Sequence, residues 1–145
     1  MKNVLLAITI VAFGWSACQS PEAEHADHHS HSSESMAPLE KNQGEKWQVN
    51  EEMKPYVQQG EESVIAYIDE ARTDYKPLAG HLKEQNKLLI QHCTMEGKSH
   101  DELHKWLHSH MEKVDDLSRS KDDDEAMKKV HELLFSYQTY HEYFE

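Results

Sequence analysis

His92-Cys93-Thr94-Met95-Glu96-Gly97-Lys98-Ser99-His100-Asp101-Glu102-Leu103-His104 is the stretch on which the reading of this chain turns. It reads as a junction between two helices. Gly97 sits where the first helix needs a left-handed residue to stop. Ser99 with Glu102 fits a capping box, which predicts a new helix from His100. His92 and Cys93 then fall in the last turn of the preceding helix, and His100 and His104 share one face of the next. A short turn sets the two helix ends side by side. Within thirteen residues the stretch carries a thiol, a thioether and three imidazoles. That mixture suits copper, or zinc if Met95 is a bystander. The plain alternative makes Cys93 a small buried hydrophobe and the histidines ordinary polar groups at a helix end.

Outward from the junction, the chain after Trp47 shows no strand-like alternation but repeated three-and-four spacing of apolar residues. The first helix carries Met53, Val57, Gly60, Val64, Tyr67 or Ile68, and Ala71, with Asn50 as candidate cap and Pro55 near its first turn. The second starts near Asp74, and its seam runs Tyr75, Leu78, Leu82, Gln85, Leu89, His92. The third runs from His100 to about Ser118 on Leu103, Leu107, Met111, Val114 and Leu117. The fourth opens on Asp122, Asp123 and Asp124, which suit a helix N-terminus, and its seam is Met127, Val130, Leu134, Tyr137, His141, Phe144. Four amphipathic helices on short loops predict an all-α, antiparallel up-down four-helix bundle over residues 45–145.

That topology predicts a convergence. The junction shares one end of the bundle with the start of the first helix and the end of the fourth. Met53, Tyr56, Tyr137, Tyr140, His141 and Phe144 are therefore expected around His92, Cys93, Met95, His100 and His104. The candidate metal ligands are His92, Cys93, Met95, His100, His104 and His141. His104 and His108 are again i and i+4, with Trp106 between them and His110 following. They drift toward the outside of the third helix, as a solvated histidine-rich face with a superficial second site as the alternative. His81 and His131 lie away from the cluster.

The opening of the chain gives an address. Met1-Lys2-Asn3 is a positive n-region, Val4 to Phe13 an apolar h-region, and Trp15-Ser16-Ala17-Cys18 follows. The pattern is a secretory signal, too short for a spanning helix. It resembles the lipobox of bacterial lipoproteins, with Trp15 departing from the usual Leu or Val. The resemblance implies a signal peptide over residues 1–17, a lipid anchor on Cys18, and a chain held at a membrane and facing the periplasm or exterior. Cys93 is then the single thiol of the mature protein. Residues 18–44 lack periodicity and are rich in Ser, Glu, His and Pro, as expected of a disordered tether. Within them His25, His28, His29 and His31 form a secondary metal tract.

Charge and missing motifs narrow the function. With 27 acidic against 15 basic residues the net charge is −12, which argues against nucleic acid as partner. The chain has no Cys-x-x-Cys-His, no HExxH, no glycine-rich phosphate loop and no paired Glu-x-x-His. Nothing points to an enzyme. His92-Cys93-Thr94-Met95 resembles the His-Cys-Pro-Met of periplasmic copper-handling domains associated with metal-efflux adaptors, with Thr94 in place of proline. Cys93, Thr94, Met95, Gly97, His100, Leu103 and His104 also resemble the pattern of a group of helical bacterial lipoproteins. Both resemblances imply a non-catalytic metal-handling role, with a metal-efflux or other envelope protein as partner. Two expectations stand: a lipid-anchored envelope protein binding copper, with zinc second, for sequestration, delivery or sensing; or a structural or interaction module without metal.

Overall fold

A computed structural model describes residues 37–145, and four helices make up most of it. They are α1 (Lys54–Asp69), α2 (Tyr75–His92), α3 (Gly97–Arg119) and α4 (Asp123–Tyr143). Packing runs α1 on α2, α2 on α3, α3 on α4 and α4 back on α1, the ring expected of an antiparallel four-helix bundle. Among the described residues there is no strand, only two isolated bridges, and no helix is long and apolar enough to cross a membrane.

Each helix buries one stripe. Val57, Gly60, Val64 and Tyr67 of α1 face Leu78, Leu82 and Leu89 of α2 and the inner rows of α3 and α4. Burying side chains of this size, at roughly 1.5–3 kcal/mol each, is the main stabilising term. Two stripes run one residue away from the sequence expectation. In α3 the line is Leu103, Leu107, His110, Val114, Leu117, so His110 is fully buried and Met111 is 40% exposed. In α4 it is Ala126, Val130, Leu133, Tyr137, Tyr140, Phe144, so His141 lies outside. The cause is the alternation of three- and four-residue steps. Choosing four where the helix takes three rotates the next residue by about 100°.

Gly60 sets the spacing of α1 and α4. A β-carbon there would collide with the Tyr137 hydroxyl and approach its Cζ to 3.1 Å. A side chain at this position would force the two helices apart.

Helix termini also depart from expectation. Ser99 and Glu102 do not form a capping box: α3 begins at Gly97, and no side chain caps it. Ser99 Oγ instead donates to the Glu96 carbonyl at 3.2 Å. A close variant, with the donor one residue before the N-cap, occurs at α4. There Asp122 accepts from the Glu125 N–H at 2.8 Å, and the Glu125 carboxylate accepts from the Lys121 N–H at 3.0 Å. Asn50 does not cap α1, whose N-cap is Met53.

Contacts to the bundle begin before residue 45. Glu102, 2% exposed, accepts from the Glu40 N–H at 2.9 Å and from Lys105 Nζ at 2.7 Å. Burial pushes its carboxyl up, but the two donors outweigh that and hold it below the usual range. Trp47 Nε1 donates to the Glu40 carbonyl at 2.7 Å, and the Trp47 backbone pairs with Tyr143 O and Glu145 N at 2.8 and 2.9 Å. Residues around Glu40, expected in the tether, are thus fastened to α3, because Lys105 on the same helix reaches one oxygen of the buried carboxylate and the Glu40 N–H satisfies the other.

Candidate metal centre

Helix α2 ends at His92, and Cys93 leaves it in extended conformation (φ −72°, ψ 118°). Asn50, in the segment before α1, brackets Cys93. Its Nδ2 donates to the His92 carbonyl at 2.9 Å, and its Oδ1 accepts from the Thr94 N–H at 3.1 Å. The side chain fixes the peptides on both sides of the cysteine. Gly97, at φ +66°, then turns the chain into α3, a conformation that L side chains resist. The left-handed glycine expected from sequence is present, but it opens α3 rather than closing α2.

The result is a groove of about 250 Å³ between α2 and α3. Cys93, His100, His104, His108 and Met111 line it above the apolar floor of Leu103 and Leu107. Cys93 is a free, half-buried thiol. The His100 and His104 rings meet edge to face with centroids 4.3 Å apart. Thus three of the expected ligands, Cys93, His100 and His104, share one cavity. His108, expected on a solvated outer face, lines the same cavity.

The other three expected ligands are elsewhere. His92 is exposed and engaged at both nitrogens. Its Nδ1 lies 2.8 Å from the Leu88 carbonyl, which only accepts, so Nδ1 carries the proton. Its Nε2 then accepts from the Tyr56 hydroxyl at 3.3 Å. Met95 is half-buried against the core and does not line the groove. His141 is exposed and pairs through Nε2 with Glu61 of α1 at 2.7 Å. The expected meeting of His92 and His141 does not occur, because α4 packs chiefly on α1 and α3 while His92 closes α2. Of the aromatic residues expected around the junction, Tyr56 meets His92, at 4.9 Å between rings. Tyr140 instead packs on Trp106 at 4.8 Å and on Phe144 at 5.2 Å, inside the core.

Among the described residues, no three His, Cys, Asp or Glu side chains stand close enough, as they lie, to hold a metal ion together. Closing a site in the groove requires side-chain rotation. His104 and His108 are exposed and can rotate, and His100 is half-exposed. Cys18, His25, His28, His29 and His31 lie outside the described residues.

The sequence reading missed His110. It is fully buried, with Nδ1 3.0 Å from Ser136 Oγ and Nε2 without a partner. Its ring stacks on Trp106 at 4.8 Å and meets Tyr137 edge-on at 4.6 Å. Trp106 Nε1 donates to the Ser136 carbonyl at 2.8 Å. Burial pushes the imidazole down to about 3, so it is neutral at ordinary pH. The signal for it was the spacing Leu103, Leu107, His110, Val114, Leu117, in which a polar residue occupies a core step. Comparison with models of known families, with curated proteins and with solved structures gave no match.

Proposed function

We propose that the chain is a metal-binding protein of the cell envelope, with copper as preferred ion and zinc second, serving sequestration, delivery or sensing. The ion is held in the α2–α3 groove by Cys93, His100 and His104. The observation that carries this reading is that the one cysteine of the bundle opens into the same cavity as two histidines on the facing helix. Thiolate suits both Cu(I) and zinc, and imidazole serves either metal. A structural zinc site normally takes four protein donors, which favours copper where one thiol is available. His92, Met95 and His141 are left out of this set because each is occupied elsewhere. The lipobox-like stretch ending at Cys18 supports a lipid anchor, and His25, His28, His29 and His31 add a separate tract that attracts cations.

A metal bound only by the folded state raises its melting temperature. In the full chain with the four tract histidines changed to Asn, Cu(I) under reducing conditions should raise the melting temperature. Cys93→Ala should remove most of that gain, and His100→Ala and His104→Ala should each reduce it. His141→Ala should leave it intact. Equal shifts in parent and Cys93→Ala would sink the reading. Cys18→Ser should move the chain out of the membrane fraction; unchanged partitioning would remove the anchor.

A second reading, an interaction module without metal, is favoured by a different observation. Ile90 and Met111, 50% and 40% exposed, extend the apolar floor of the groove toward solvent. It becomes the better reading if no variant responds to copper or zinc.

A further inference from the structure

The groove holds one more histidine than the thiol-centred site uses. His108 follows His104 by four residues on α3 and lines the same cavity. Residues at that spacing stand one helical turn apart, with about 6 Å of rise between them, on a common face. Two imidazoles so placed can reach a single ion, as they do in helical zinc sites. Glu112 comes one turn further. Its Oε2 lies 3.8 Å from His108 Nδ1, and both side chains are well exposed, at 66% and 55%. A small rotation turns this approach into a hydrogen bond. A carboxylate on Nδ1 keeps the proton there and leaves the Nε2 lone pair free, the arrangement that orients metal-bound histidines.

The donor chemistry differs from that at Cys93. Two neutral imidazoles steadied by a carboxylate suit a borderline divalent cation such as Zn2+ and need no thiolate. We infer that His104 and His108, with Glu112 orienting His108, form a second cation position on α3 for such an ion, independent of Cys93. The position shares His104 with the thiol-centred one, so filling either weakens the other.

The test is calorimetric titration of Zn2+ into the full chain with His25, His28, His29 and His31 changed to Asn. Cys93→Ser removes the thiol-centred position and should leave the His108-dependent zinc affinity in place. His108→Ala should lower it by about tenfold or more, since losing a ligand costs at least what losing an outer-shell partner does. Glu112→Leu should lower it as well. His108 and Glu112 are exposed, and unchanged helical circular dichroism of the variants confirms that the fold is intact. Loss of zinc binding in Cys93→Ser, or an unchanged isotherm in His108→Ala, overturns the inference. Failure of the copper reading is distinct: the Cu(I) shift is then missing from the parent, while the zinc isotherm keeps its dependence on His108.

Discussion

Acid should weaken this bundle through His110. The imidazole has a pKa near 6.5 in an unfolded chain and about 3 in the folded one, where burial disfavours its charged form. Lowering the pH from 7.5 therefore protonates the unfolded state first. The stability linked to neutral His110 is fully present above pH 6.5 and is lost as the pH falls toward about 3. Each pH unit inside that window costs about 1.4 kcal/mol, which amounts to about 2 kcal/mol by pH 5. This is a large part of the 5–15 kcal/mol or so that keeps a small domain folded. Urea unfolding at pH 7.5, 6.5, 5.5 and 5.0 should show it in the parent and not in His110→Gln. Whatever the substitution costs at pH 7.5, only the difference between the two pH slopes reports on His110, so every other titrating group cancels. Should the variant fold poorly, NMR of the parent gives a second measurement: the His110 ring resonances should not move between pH 7.5 and 5. Parallel pH profiles in parent and variant, or a His110 ring titrating near 6.5, would refute the burial argument.

Two glycines should respond to alanine with opposite sign. Gly80→Ala, with nothing within 4 Å of the new β-carbon, should stabilise by about 1 kcal/mol through helix propensity. Gly60→Ala gains the same propensity but meets the Tyr137 hydroxyl, and overpacking at about 1–3 kcal/mol should leave a net loss. Adding Tyr137→Phe should recover part of that loss in urea unfolding; equal stabilisation by both alanines would contradict the close approach of α1 and α4. Asn50→Ala removes both hydrogen bonds around Cys93 and should cost about 1–2 kcal/mol, at roughly 1 kcal/mol per bond or less where water replaces it. It should also raise the rate of Cys93 alkylation relative to the parent, and an unchanged rate would mean that Asn50 does not hold the thiol in place.

The sequence by itself determined the helical architecture. Apolar spacing is local, since each stripe is written within one helix, and four stripes with short turns leave few arrangements other than an up-down bundle. The acidic start of α4, the left-handed Gly97 and the pairing of His100 with His104 on one face were legible for the same reason. Phase and partners were not. Whether a helix steps by three or four residues past Leu107 or Tyr137 depends on the neighbour it packs against, and that choice buried His110 and exposed His141. Asn50 reads as a cap until the distant turn at His92 and Thr94 supplies it with a better donor and acceptor. Glu102 reads as half of a capping box until Glu40, 62 residues away, donates to it. The thiol and the imidazole row were legible as chemistry, but their shared groove comes from α2 packing on α3. Ring position and helix rotation are set by contacts between segments far apart in the chain, and tertiary packing alone decides them.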